Sequence, residues 1–204
     1  MLPKDFPNCQ TVHPFYRRAI KNGLWEEMTD LLVQMTRLET KHNAKPSYSL
    51  IDSQSVKTTS ASDERGFDGG KKIKDRKRHI ITDVMGNLLK VVVGAANIHD
   101  TVAGCNVFKS ALEKYPSLRG VCGDVGFRGT FVDFVLSLGK KCDISEKIVP
   151  KGWLVLPKRW CVERTIGWFT GFRRLSKDYE IGAKSEENMI MLAHSTVLLR
   201  RLRY

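Results

Sequence analysis

Between Tyr48 and Ala95 the chain carries three short runs of β-forming residues, Tyr48–Val56, His79–Val84 and Leu88–Ala95. Only Met85-Gly86-Asn87 separates the last two, a tripeptide suited to a hairpin turn, so these two runs are expected to pair antiparallel. That pairing limits the architectures open to everything downstream. Asp100 or Thr101 can cap a helix running to about Tyr115, which Pro116 ends. Leu118–Cys122 reads as a buried strand that delivers Asp124 at its C-terminal end, and Thr130–Leu138 as a helix stopped by Gly139. A short strand near Lys141–Ile144 follows, then a long helix opened by Pro157 and reaching about Leu175, then an amphipathic helix over Glu186–Arg201. Three strands, helix, strand, helix, strand and helices predict an α/β fold: a mixed sheet flanked by helices.

Upstream of the sheet the pattern is helical. Val12–Asn22 and Leu24–Lys41 read as two helices separated near Gly23, and Lys45-Pro46 breaks the pattern. The expected organisation is a short helical N-terminal segment over residues 1–45 and an α/β domain over residues 46–204. Thr58–Gly70, rich in Ser, Thr, Asp and Gly, reads as a mobile loop.

The 204 residues are 42% hydrophobic, enough to bury a real core. Lys and Arg number 34 against 22 Asp and Glu, and the resulting charge of +12 favours a phosphate-bearing partner over an acidic small molecule. The five cysteines are odd in number and never form a Cys-x-x-Cys pair, which argues against both a disulfide framework and a zinc ribbon. The longest apolar runs, such as Leu88–Ala96, fall far short of the roughly 20 residues that span a bilayer. The start, Met1 to Pro7, lacks the apolar core of a signal peptide, so a cytoplasmic, unanchored protein is expected.

Against this basic background three acids stand out. Asp52 lies in Ile51-Asp52-Ser53 late in the first strand, Asp124 follows Gly123 at the end of a buried strand, and Glu163 sits beside the apolar stripe Val162, Ile166, Phe169 of a helix. Carboxylates on rigid elements suit hard divalent cations, and two such ions can stabilise the attacking and leaving oxygens of phosphodiester chemistry. Each acid has a plainer reading. Asp52 suits a turn, Asp124 suits a strand-to-helix turn among Gly123, Gly126 and Gly129, and Glu163 lies four residues from Arg159, the spacing of a surface ion pair. Gly167 shares a helix face with Glu163 and Thr170, which leaves room for a metal or a DNA strand or serves close helix packing. Trp160, Trp168, Phe169 and Phe172 suit core positions better than base stacking. His99-Asp100 has no second His cluster to complete a phosphohydrolase site and fits helix capping, and neither a dinucleotide fingerprint nor a P-loop is present. Lys71, Lys72, Lys74, Arg76, Lys77 and Arg78, with the Arg173-Arg174 pair, are candidates for gripping phosphates or for a solvated face.

Five ordered blocks carry a resemblance to a known family: Ile51-Asp52-Ser53-Gln54-Ser55-Val56-Lys57; Lys71 through Ile80; Ala96-Asn97-Ile98-His99-Asp100; Gly123-Asp124-Val125-Gly126-Phe127-Arg128-Gly129; and Trp160 through Trp168 continuing into Phe172–Glu180. The chain resembles the transposases of the IS5 group of bacterial insertion sequences, within the IS4-like DDE class. The resemblance implies an RNase H-like fold, with Asp52, Asp124 and Glu163 as the DDE triad holding two Mg²⁺ ions, Mn²⁺ being able to substitute. It implies double-stranded DNA as the partner, both the element's terminal inverted repeats and the target, a homo-oligomer in a synaptic complex, and a location at the bacterial nucleoid. Arg159 matches the family's arginine ahead of the glutamate and is expected near a phosphate. Leu156 and Thr170 stand where the broader class has Tyr and Lys, so those two roles do not carry over. Leu2–Pro7, Thr11-Val12 and Trp25-Glu26 resemble the latter part of the family's N-terminal domain, so the chain is expected to begin partway through it. The competing readings are a DNA-binding regulator of transposition and a cellular RNase H-like nuclease.

Overall fold

The structure is a computed structural model that describes residues 5–70, 72–145 and 160–202. Two helices, α1 (Cys9–Lys21) and α2 (Leu24–Glu39), precede strands β1 (Tyr48–Val56), β2 (Gly66–Asp68), β3 (Ile73–Asp83) and β4 (Leu88–Ala95). Helix α3 (Asp100–Lys114), strand β5 (Gly120–Asp124), a 3₁₀ turn (Val125–Phe127), helix α4 (Thr130–Ser137) and strand β6 (Lys141–Ser145) follow. The chain closes with α5 (Trp160–Thr170) and α6 (Ala183–Arg201).

The main sheet runs β4-β3-β1-β5-β6, with β2 pairing the start of β3. β4, β3 and β1 are mutually antiparallel, whereas β1, β5 and β6 are parallel. This is the expected mixed α/β sheet in the RNase H-like order. Strand alternation builds a core on each face. Ile51, Ile81, Leu89 and Val121 face a cluster with Val107, Phe108 and Phe131 of α3 and α4; Leu50, Ile80, Leu88 and Cys122 face a second with Val162, Phe169 and Ile190 of α5 and α6. Leu32 and Val33 of α2 belong to the first cluster, and the buried Arg37 of α2 pairs with Asp83 at the end of β3. No helix among the described residues is long and apolar enough to cross a membrane.

Helices α1 and α6 begin three residues earlier than expected, at Cys9 and Ala183, and the structure departs from the sequence expectations at other places. β3 starts at Ile73 rather than His79, so the basic run is mostly strand, because its charges find partners inside the fold. The Thr58–Gly70 segment contains β2 and is anchored: Asp75 accepts the Thr58 N–H at 2.9 Å, and the Ser62 hydroxyl donates to the Glu180 carbonyl at 2.9 Å. The cap of α3 is His99, whose side chain accepts from the Thr101 N–H, one residue ahead of the expected position. Helix α5 ends at Thr170 rather than Leu175, because the Gly171 and Phe172 N–H groups turn back to the Trp168 and Phe169 carbonyls in a tighter turn. Its expected start at Pro157 lies outside the described residues.

Candidate active site

Asp52 and Asp124 come from neighbouring parallel strands. Tyr48 pairs with Gly120, Ser49 with Val121 and Leu50 with Cys122; the same register carried two residues further sets Asp52 opposite Asp124. Both acids therefore stand at one level, two residues past the last β1–β5 pair and toward the carboxyl end of β5, where ligands of α/β sheets bind. Alternation gives Asp52 the side of Leu50 and Asp124 the side of Cys122, the sheet face covered by α5. Gly123 serves this placement, since a Cβ there would stand 3.0 Å from Ile51 Cγ2 on the adjacent strand.

Helix α5 is laid over that face by Val162 and Phe169, both fully buried. Glu163, next to Val162, is exposed at the edge of the covered face. The hairpin turn fixes the helix from the other side: Thr165 Oγ1 donates to the Gly86 carbonyl at 2.7 Å, and Arg164 Nη2 donates to the Met85 carbonyl at 2.7 Å. Gly86 has φ +82°, and a Cβ on it would lie 2.8 Å from Thr165 Oγ1. A Cβ on Gly167 would meet no described atom within 4 Å, so close helix packing is not the reason for this glycine. It leaves open space on the face that Glu163 shares.

Asp52 Oδ1 accepts the Ser53 N–H at 2.7 Å, and Asp124 Oδ1 accepts the Gly126 N–H at 2.9 Å. The all-oxygen donor set suits a hard divalent cation. Among the described residues no three His, Cys, Asp or Glu side chains come together in a metal-binding group, so Asp52, Asp124 and Glu163 do not close around one point.

The sequence reading passed over one acid at this end of the sheet. Asp100 Oδ2 lies 3.8 Å from the point where a Gly126 Cβ would sit, and Asp124 Oδ1 lies 3.0 Å from the same point. Asp100 is engaged by Lys77 Nζ at 3.2 Å and His79 Nε2 at 3.1 Å. Burial alone would raise its pKa, but the His79 hydrogen bond and the Lys77 charge hold it well below the usual carboxylate range. Its place beside His99 in sequence suggests only a cap; the partners that give it a further role lie on β3.

The basic residues divide sharply. Lys72 and Lys74 are exposed, as are Arg173 and Arg174, the last paired with Glu180. Arg76, Lys77 and Arg78 are buried, and their charge is answered within the protein rather than presented to a phosphate. Arg76 Nη1 meets Asp178 at 2.9 Å, and its Nη2 meets Asp63 and the Ile181 carbonyl. Lys77 lies between Asp68 and Asp100, and Arg78 pairs with Glu186 while donating to the Leu175 carbonyl at 2.9 Å. Burial raises the Glu186 pKa against the pull of Arg78. Lys71 and Arg159 lie outside the described residues.

The aromatic residues of α5 also differ from expectation. Phe169 is core, but Trp160 is 42% exposed and Trp168 only half-buried. The Arg164 guanidinium stacks on both indoles, 4.6 Å from the Trp160 ring centre and 4.8 Å from that of Trp168. The spacing Trp160, Arg164, Trp168, one helical turn apart each, is the sequence signal for this ladder.

A comparison with curated proteins gave no match. Residues 43–198 match the family model described as the transposase DDE domain, a span that includes the whole sheet, Asp52, Asp124, Glu163 and all but the last turn of α6. With an RNase H-like sheet that carries Asp52 in the middle of one central strand and Asp124 at the end of the next, the chain belongs to the transposase DDE domain family.

Proposed function

We propose that the protein cleaves DNA strands at the ends of an insertion sequence and transfers them to a target, using Asp52, Asp124 and Glu163 as its acidic triad. The observation that carries this reading is the parallel β1–β5 register, which sets Asp52 level with Asp124 on the face spanned by α5. Family membership makes DNA the substrate and DNA cleavage and transfer the reaction class. Blocks such as Phe172-Arg173-Arg174-Leu175 and Gly123-Asp124-Val125-Gly126-Phe127-Arg128-Gly129 support the finer assignment to the IS5 group.

In the first step a water oxygen bonds to phosphorus at the element boundary as the bond to the 3′ oxygen breaks, and that oxygen takes up a proton. In the second, the 3′-hydroxyl forms a bond to a target phosphorus, gives up its proton and displaces a target 3′ oxygen. A pair of divalent cations, Mg²⁺ or Mn²⁺, would supply positive charge to the oxygens on which charge builds. Asp52 and Asp124 would hold them from the rigid sheet, and Glu163 would complete the set from α5. Exposed Lys72, Lys74, Arg173 and Arg174 are the cations available to the DNA backbone, with Lys71 and Arg159 alongside them in sequence. Joining two element ends to one target favours a synaptic homo-oligomer.

The test is a cleavage and strand-transfer assay with purified protein, Mg²⁺ and a duplex carrying the boundary of the element that encodes it. Nicks at the boundary followed by joined products are expected, both lost in Asp124→Asn while DNA affinity persists. Undiminished cleavage by Asp124→Asn would overturn the triad, and binding without cleavage by the unaltered chain would identify a regulator.

A further inference from the structure

On the flank of α5 away from Glu163, α5 and α6 border a cleft of about 560 Å³ lined by Trp168, Gly171, Phe172, Val197, Arg200 and Arg201. No carboxylate among the described residues lines it. Arg201 stacks on the Trp168 ring with its guanidinium carbon 4.5 Å from the ring centre, and its Nη1 donates to Asn87 Oδ1 at 3.0 Å. Arg164 stacks on the same ring, and its Nε is buried with no hydrogen-bond partner. Two guanidiniums thus share one indole, and neither forms an ion pair with a described residue.

Among the described residues this arrangement has no anion. The like charges of Arg164 and Arg201 repel across the Trp168 ring, and burial followed by the Arg164 charge pulls the Arg201 pKa down, against the pull of the more distant Asp83. Arg200, exposed in the last turn of α6, adds a third cation at the rim. Aromatic walls beside arginines are the means by which proteins hold a nucleic-acid strand, with phosphates on guanidinium forks and sugar or base against the rings. Trp168 lies five residues beyond Glu163, about 140° around the helix, so a strand in this cleft runs along the flank of α5 away from the acids.

We propose that the α5–α6 cleft binds a stretch of DNA backbone outside the catalytic face, with its phosphates on Arg200 and Arg201 and its sugars against Trp168 and Phe172. The proposal rests on the reading of the protein as a DNA-processing enzyme, which the triad supports independently of this cleft. It assigns a DNA-tracking role to residues C-terminal to Glu163 that lie outside the basic run of β3.

The test measures equilibrium binding of a short fluorescein-labelled duplex by anisotropy across a salt series. The proteins compared are the unaltered chain, Arg200→Ala, Arg201→Lys and Lys109→Ala, the last removing one exposed charge from α3. Arg200→Ala is expected to weaken binding several-fold and to flatten the slope of log affinity against log salt by about 0.9, the loss of one phosphate contact. Arg201→Lys keeps the charge but loses the planar fork, so weaker binding with little change in slope is expected. Equal, small effects of Arg200→Ala and Lys109→Ala would show a response to net charge alone and overturn the proposal while leaving the triad reading in place. Failure of the unaltered chain to bind DNA at all would remove both.

Discussion

Thr165 Oγ1 donates to the Gly86 carbonyl at 2.7 Å, tying the helix that carries Glu163 to the turn between β3 and β4. The turn thereby sets how far α5 stands from the sheet end that bears Asp52 and Asp124. Gly86→Ala places a Cβ 2.8 Å from Thr165 Oγ1 at a φ of +82°. A loss of about 1–3 kcal/mol in stability is expected, measured by urea unfolding. Strand cleavage should fall by more than this loss of folded protein explains, because Glu163 moves with α5.

Glu163 itself is exposed, so its role and its stability contribution separate. Glu163→Gln is expected to leave unfolding free energy within about 0.5 kcal/mol of the unaltered protein. Cleavage should fall by more than about a hundredfold, the upper range for groups that merely support a metal ligand. Paired thermal melts and cleavage assays on the same preparation check this, and unchanged cleavage would remove Glu163 from the triad.

Arg78 and Glu186 are both fully buried and face each other across β3 and α6. Arg78→Leu leaves a buried carboxyl without its partner and is expected to cost about 3–5 kcal/mol. Lys74→Ala, at an exposed position two strand alternations away, should leave stability unchanged. Chemical denaturation of the two variants distinguishes an internal brace from a solvated basic face. Equal stability would contradict the burial of Arg78.

His194 accepts the Leu88 N–H on Nε2 at 2.9 Å, and burial, helped by the Arg201 charge, pushes its pKa down to about 3. The folded state keeps this ring neutral where the unfolded chain, with an ordinary pKa near 6.5, takes up a proton. Its contribution is therefore complete above about pH 6.5 and is lost as pH falls toward 3. Glu26 adds a second acid-sensitive contribution: burial opposes ionisation, but Lys90 and Lys114 hold its pKa down to about 2, so its stabilisation fades between an ordinary 4.5 and that value. His194→Leu leaves the Leu88 N–H unpaired and should cost about 1–3 kcal/mol at neutral pH. It should also lower the slope of stability against pH between pH 6.5 and 4.5, where Glu26 does not yet titrate and the raised Glu186 carboxyl works in the opposite sense to His194. A variant with the original slope in that window would show that another group titrates there.

The chain alone fixes what depends on neighbours in sequence. Tyr48–Val56 and Leu88–Ala95 are strands at the bounds their β-forming runs predict, because alternation and the Met85-Gly86-Asn87 turn are local properties. Asp52 within a strand, Asp124 at a strand's end and Glu163 beside an apolar helical stripe are legible for the same reason. Tertiary structure alone decides which side chains meet. Arg76 and Arg78 read as a solvated or DNA-facing run until Asp178 and Glu186, 102 and 108 residues further on, arrive to neutralise them inside the fold. Likewise only the parallel pairing of β1 with β5 sets Asp52 level with Asp124, and only the packing of α6 on α5 brings Arg201 to the Trp168 ring. A charge is buried or exposed, and an acid stands alone or beside another, according to partners that chain folding brings from far away, and no local pattern records them.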